Sequence, residues 1–150
     1  MQGDGDGWVL CGQGHRHWGR HGAAGLLVRY TDDGKRWVLM QLRADWSHHG
    51  GTWGLPGGAR DSHETSQQTA LREAAEEAGL DHSLVQVRAT YRDDHGGWVF
   101  DTVIASCEQR LGVRPSGGES ADVRWVPELE VPALPLHPGL AATWPRLPRS

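Results

Sequence analysis

The stretch from Gly58 to Leu80 constrains this chain most, because it specifies a helix and then charges that helix at the unfavourable end. Thr65 can cap it, Gln68 completes a capping box, and Ala70, Leu71, Ala74 and Ala78 supply one packing face. Gly79 is the left-handed stop, with Leu80 placed to fold back on the last turn. Glu73, Glu76 and Glu77 then stand at i, i+3 and i+4, so three carboxylates share one face. They fall where the helix dipole favours cations, and each like-charge pair or misplaced anion costs a few tenths of a kcal/mol. Bound positive charge must offset that cost. For oxygen donors the natural ion is Mg²⁺, with Mn²⁺ as a substitute, and a divalent ion held in this way goes with phosphate chemistry.

The rest of the chain supplies strands. Ala23 to Tyr30 and Trp37 to Leu42 read as a hairpin joined at Asp32-Asp33-Gly34, with Arg43 to Gly51 as a polar loop. Leu84 to Tyr91 and Trp98 to Ala105 read as two strands across a turn, and Val123 to Val126 as a further one. A short last helix is expected within Pro135 to Leu147, beginning near His137. Strands on both sides of one long helix, with another helix at the end, make an α+β architecture with a mixed sheet. Residues 1–22 are glycine-rich and read as a loose leader with a short strand at Trp8 to Leu10; residues 23–150 form one domain.

Composition narrows the setting. A net charge of −4 with no basic run offers no footprint for a nucleic-acid polymer, while a small nucleotide arriving with metal is compatible. No stretch has the length of a membrane span, and the first residues lack the pattern of a signal peptide. Cys11 and Cys107 are too few for a disulfide framework, which points to a reducing cytoplasm. Monomer and homodimer both stay open.

Gly58, Glu64, Arg72, Glu73, Glu76, Glu77 and Gly79, with Ala74 and Leu80 as the apolar positions, resemble the Nudix box at every specified position, and Trp53 to Gly58 resembles its lead-in. From Trp18 through Arg43, Trp46 and the box to Trp144 the chain is also similar to MutT-type enzymes, mycobacterial paralogues among them. The resemblance implies an α/β/α sandwich and a Mg²⁺-dependent pyrophosphohydrolase of nucleoside di- or triphosphates. It further implies a MutT-like enzyme that converts 8-oxo-dGTP to monophosphate and pyrophosphate. Two alternatives remain: hydrolysis of another nucleoside diphosphate derivative such as ADP-ribose, and a nucleotide-sensing domain without turnover.

By the same resemblance Glu76 and Glu77 are the leading metal ligands, joined by the carbonyl of Gly57. Glu73 is either a third ligand or the base that takes a proton from water. Glu64 and Arg72 form a charge network that fixes the loop against the helix, with Gly58 and Gly79 as further supports, and Arg72 can restrain Glu76 at i+4. Glu119 is a candidate additional metal carboxylate ahead of the late strand, with Asp122 a weaker substitute. Arg43 is a candidate for substrate phosphate, with Arg20, Arg60 and Arg92 as stand-ins. Trp46 and His137 are candidates for the base pocket, with His48 and His49 nearby in sequence.

Overall fold

Leu26, Leu27 and Val28 are consecutive and all fully buried, which a strand permits only when both faces of its sheet are covered. The computed structural model, which describes residues 3–12, 14–46 and 49–148, shows what covers them. The chain runs β1 (Trp8–Leu10), β2 (Arg16–Trp18), β3 (Ala23–Asp32), β4 (Lys35–Arg43), β5 (Trp53–Gly54), β6 (Gly57–Ala59), α1 (Ser66–Ala78), β7 (Gln86–Asp94), β8 (Val99–Ser106), β9 (Ser120–Pro127) and α2 (Pro138–Thr143). Short 3₁₀ turns occupy His82–Leu84, Glu128–Ala133 and Trp144–Arg146.

The sheet is mixed, as expected. β5-β4-β3-β8-β7 follow in order, with β3 and β8 parallel, and β6 and β9 pair with β3 and β4. One edge of β3 is divided between two partners: β6 takes Ala23 to Gly25, and β4 takes Arg29 to Asp32. β4 likewise meets β3 near its start, at Lys35 to Val38, and β5 near its end, at Gln41 and Leu42. The two central strands therefore diverge, and the Pro56 carbonyl fills part of the gap by accepting from the Leu26 amide at 2.8 Å. That divergence opens the face on which the box lies.

Alternation along β3 and β4 sorts side chains between two cores. Leu26, Val28 and Leu39 pack with Ala70, Ala74, Ala78 and Leu80, so α1 covers one face. Leu27, Val38 and Met40 pack with Val131, Trp144 and Leu147, so the C-terminal segment covers the other. The result is the α/β/α sandwich. A buried Arg29–Glu128 ion pair, with Arg29 Nη2 also donating to the Pro148 carbonyl at 2.9 Å, clamps that C-terminal cover to the sheet.

Local chemistry explains the element ends. The Thr65 side chain accepts from the Gln68 amide and the Gln68 side chain accepts from the Thr65 amide, which completes the capping box. Gly79 at φ 64° closes α1, with its amide on Ala75 and that of Leu80 on Ala74. Asp33 and Gly34 both have positive φ, the geometry of a two-residue hairpin turn between β3 and β4.

Some boundaries differ from the sequence reading. The strand expected from Leu84 begins at Gln86, because the Asp81 side chain accepts from the Ser83 amide and caps a 3₁₀ turn first. β5 and β6 were not expected as strands; they are too short for periodicity to register. Within residues 1–22, β1 and β2 form an antiparallel hairpin whose far side reaches the body: Trp98 Nε1 donates to the Gly19 carbonyl at 2.9 Å. No helix among the described residues is long and apolar enough to cross a membrane.

Candidate active site

Arg72 is the hub of the box. Its Nε and Nη2 reach the two carboxylate oxygens of Glu64 at 2.7 and 2.9 Å, a bidentate fork. Nη1 donates to Glu73 at 2.9 Å and to Glu76 at 3.4 Å, and Nη2 also meets the Ala59 carbonyl at 3.3 Å. One guanidinium thus ties the loop after β6 to three acids. The Arg72 hydrogen bonds outweigh desolvation and hold the Glu64 carboxyl down at about 2, well below its ordinary 4.5.

A pH dependence follows from that shift. Glu64 is ionised in the fold down to pH about 2 but only to about 4.5 when unfolded, so its contribution is complete above pH 4.5 and lost between 4.5 and 2. Wild type should therefore lose about 1–3 kcal/mol across that window relative to Glu64→Gln, a range lowered for the partly exposed guanidinium. Urea unfolding of both proteins from neutral pH down to acid checks this. Parallel curves would remove Glu64 from the stability of the fold.

The acids beyond Arg72 behave differently. Glu77 is 6% exposed on α1, and burial pushes its carboxyl well up, reinforced by a hydrogen bond to Glu73 and by that neighbour's charge. Burial also raises Glu73, against the pull of Glu77 and Arg72. Two neighbouring carboxyls both raised by burial mark a place where positive charge is stabilising. Glu76, turned to Arg72, has a side chain 56% exposed, and the three box acids do not bring ligand atoms within 4.8 Å of one another among the described residues. Helical spacing placed all three on one face; Arg72 decides which of them meet.

The glycines are spatial requirements. A Cβ on Gly58 would sit 2.6 Å from the Glu73 carboxylate, and one on Gly57 would lie 2.5 Å from the Ala24 carbonyl. β6 can therefore lie directly between β3 and the acidic face of α1.

Two residues that the sequence reading passed over support Glu77. Gln41, 4% exposed on β4, bonds the Glu77 side chain and donates to Ser120 Oγ at 2.7 Å; Ser120 Oγ donates in turn to the Glu77 carbonyl at 3.1 Å. The available signal was a glutamine inside an otherwise apolar strand, since a buried amide requires a partner. Glu119 is exposed, its charge acts on Glu77, and its carbonyl accepts from the Ala44 amide at 3.0 Å. Asp122 is engaged by Arg124 at 2.6 Å.

The surrounding wall comes from the end of β4 and the C-terminal segment. Arg43, half-buried, sits at a bulge after Leu42 opposite Ser120. His137 caps α2, its Nδ1 accepting from the Gly139 amide at 3.0 Å, and its own amide donates to the Trp53 carbonyl at 2.8 Å. The His49 ring lies edge-on to it at 4.7 Å. Trp46 is 73% exposed, while the backbone of Trp53 pairs with the segment at His137. His48 lies outside the described residues. Arg20, Arg60 and Arg92 line a different cleft of about 540 Å³ at the N-terminal end of α1, ~16 Å along the helix from Glu77. There Arg92 is paired with buried Asp101 through two 3.0 Å bonds.

A split mixed sheet with a covering helix, whose glycine-flanked acids demand positive charge, defines a class of metal-assisted phosphate enzymes. The family model of the NUDIX domain matches residues 19–147, and the chain belongs to the Nudix family. It is a hydrolase of phosphoric anhydride bonds, of a family that uses divalent metal ions. The chain is 55% identical over 98% of its length to the Mycobacterium tuberculosis protein named "Putative 8-oxo-dGTP diphosphatase 3", covering 70% of that protein. It is 44% identical over 95% of its length to a nucleoside triphosphate pyrophosphatase/Nudix hydrolase fusion protein of Bifidobacterium longum, of which it spans 30%. Among solved structures, the Nudix hydrolase RenU of M. smegmatis is similar at TM-score 0.86 and 53% identity, covering 95% of this chain and 92% of that one.

Proposed function

We propose that this chain hydrolyses oxidised guanine nucleoside triphosphates, releasing 8-oxo-dGMP and pyrophosphate from 8-oxo-dGTP. The observation that carries the reading is 55% identity across nearly the whole chain to a protein named for that reaction. The assigned ion is Mg²⁺, which Glu76, Glu77 and the Gly57 carbonyl would hold, with Glu73 beside them and Glu119 as a further carboxylate. The donor set fits a hard ion: the donors are all oxygen, and burial raises the neighbouring Glu73 and Glu77 carboxyls, a setting that positive charge relieves. When bound, the ion screens the diphosphate's charge and polarises its phosphoryl oxygens.

The chain's own residues do the rest. Arg72 bonds the Glu73 carboxylate and orients it, so that Glu73 can accept a proton from the attacking water. Gln41 and Ser120 hold Glu77 in place. Arg43 takes a substrate phosphate, while His137, with Trp46 from the loop after β4, faces the base. The substrate is a free nucleotide.

A panel of oxidised and normal nucleotides with Mg²⁺, analysed by chromatography, tests this. The expected result is 8-oxo-dGMP plus pyrophosphate, with kcat/KM at least ~10-fold above that for dGTP, and no turnover in excess chelator. Ribose phosphate and AMP from ADP-ribose, with oxidised nucleotides untouched, would overturn the substrate assignment.

A further inference from the structure

The N-terminal hairpin carries a cluster that the box chemistry does not use. Cys11, His15 and His17 each offer a ligand atom, and these atoms lie within 4.8 Å of one another. The arrangement is local in origin. β1 and β2 are joined by the segment from Cys11 to His15, where the Cys11 amide donates to the His15 carbonyl at 2.9 Å. His17 pairs with Val9 in the hairpin ladder, and both are half-buried, whereas the alternate positions Trp8, Trp18, Leu10 and Arg16 are exposed. The pleat therefore turns His17 inward.

What His17 meets there is a second imidazole. Its ring stacks on Trp98 at 4.0 Å and lies 4.9 Å from His95, in the turn between β7 and β8. His17 Nε2 and His95 Nδ1 are both buried without a hydrogen-bond partner among the described residues. A buried polar nitrogen left unpaired is destabilising, and here two lie in neighbouring imidazoles. The other nitrogen of His95, Nε2, lies 3.1 Å from the Asp93 carboxylate. An imidazole that donates Nε2–H to a carboxylate presents its Nδ1 lone pair, the usual support of a metal-bound histidine.

We propose that Cys11, His15 and His17, with His95 as the fourth ligand, form a zinc site that fastens the hairpin to the β7–β8 turn. One thiolate and three imidazoles select Zn²⁺ over the hard ion of the box. Ligand atoms around tetrahedral zinc are ~3.3–3.8 Å apart, so the three hairpin ligands need to draw in by about an ångström and the His95 ring to move toward them. Cys11 gives its thiol proton to solvent as the Zn–S bond forms. The site's task is structural. Gly12 already bonds the Gly96 carbonyl across the same junction, and the metal adds side-chain links to that backbone contact.

Titration of the reduced, metal-free full chain with Co²⁺ and Zn²⁺, in excess Mg²⁺ to occupy the box, tests the proposal. The expected result is one equivalent of Co²⁺ giving thiolate charge-transfer and tetrahedral d–d absorption, displaced by Zn²⁺, with a change in tryptophan emission from the Trp98 stack. Cys11→Ser should abolish the charge-transfer band. His15→Ala, at an exposed position that the fold does not need, should weaken binding roughly 10-fold or more. Zn²⁺ should also slow amide exchange in residues 8–18. Absence of a stoichiometric thiolate–cobalt band in the wild type, or binding unchanged in both variants, would overturn the site.

Discussion

Glu77→Gln is expected to lower the metal-dependent hydrolysis rate about 10³-fold, the loss anticipated when a ligand to a charge-stabilising ion is removed. Its distinctive mark is a stability change of opposite sign. Glu77 is 6% exposed beside Glu73, and its pKa is raised first by burial and then by that neighbour. A carboxyl with a raised folded pKa binds more protons folded than unfolded, so its ionisation destabilises the fold as pH rises through that value. A neutral glutamine escapes the penalty while keeping a partner for Gln41. Without metal the variant should match or exceed wild type in urea, with the gap widening as pH rises. With saturating Mg²⁺ the order should reverse, because only wild type gains the ion. Full turnover in the variant would remove Glu77 from the site.

Arg72→Ala is expected to cost about 2–4 kcal/mol of unfolding free energy, below the value for a fully buried pair because the guanidinium is 33% exposed. The loss comes from what is left behind: Glu64 and Glu73 stay in partly buried positions with the guanidinium that bonds both of them gone. Arg72→Lys should recover less than half of it, since a point charge cannot bond both oxygens of Glu64 and reach Glu73 as well. A double-mutant cycle with Glu64→Gln in urea isolates the pair. A coupling near zero would reduce Arg72 to a surface charge.

These two residues mark how far the sequence could be read. Thr65, Gln68, Gly79 and Leu80 specify the ends of α1 by local hydrogen bonding and one left-handed residue, and the structure has all four in those roles. The strands of the central sheet were legible as apolar runs for the same local reason. β5 and β6 were not, since strands of two or three residues owe their existence to the edges of β3 and β4 that they complete. Gln41 and Ser120 stand far from the box in sequence and reach Glu77 only because β4 and β9 pair beneath α1.

The arginines divide in the same way. Arg43, Arg20, Arg60 and Arg92 were equivalent as letters, yet the fold sends the last three to a cleft at the other end of α1. The histidines divide too: His17 and His95 meet because a hairpin folds back on a turn some eighty residues later.

By itself the sequence determined the family, the box helix with its caps, and the need for a cation beside Glu73, Glu76 and Glu77, because these rest on spacings within a few helical turns. Only the tertiary structure decided that Glu77 is buried and Glu73 half-buried while Glu76 stays exposed. It also decided that Gln41 reaches Glu77, and that the Trp53 backbone pairs with the segment at His137. Those outcomes depend on burial and on which distant strands are neighbours, and both are set only when the sheet closes over its core.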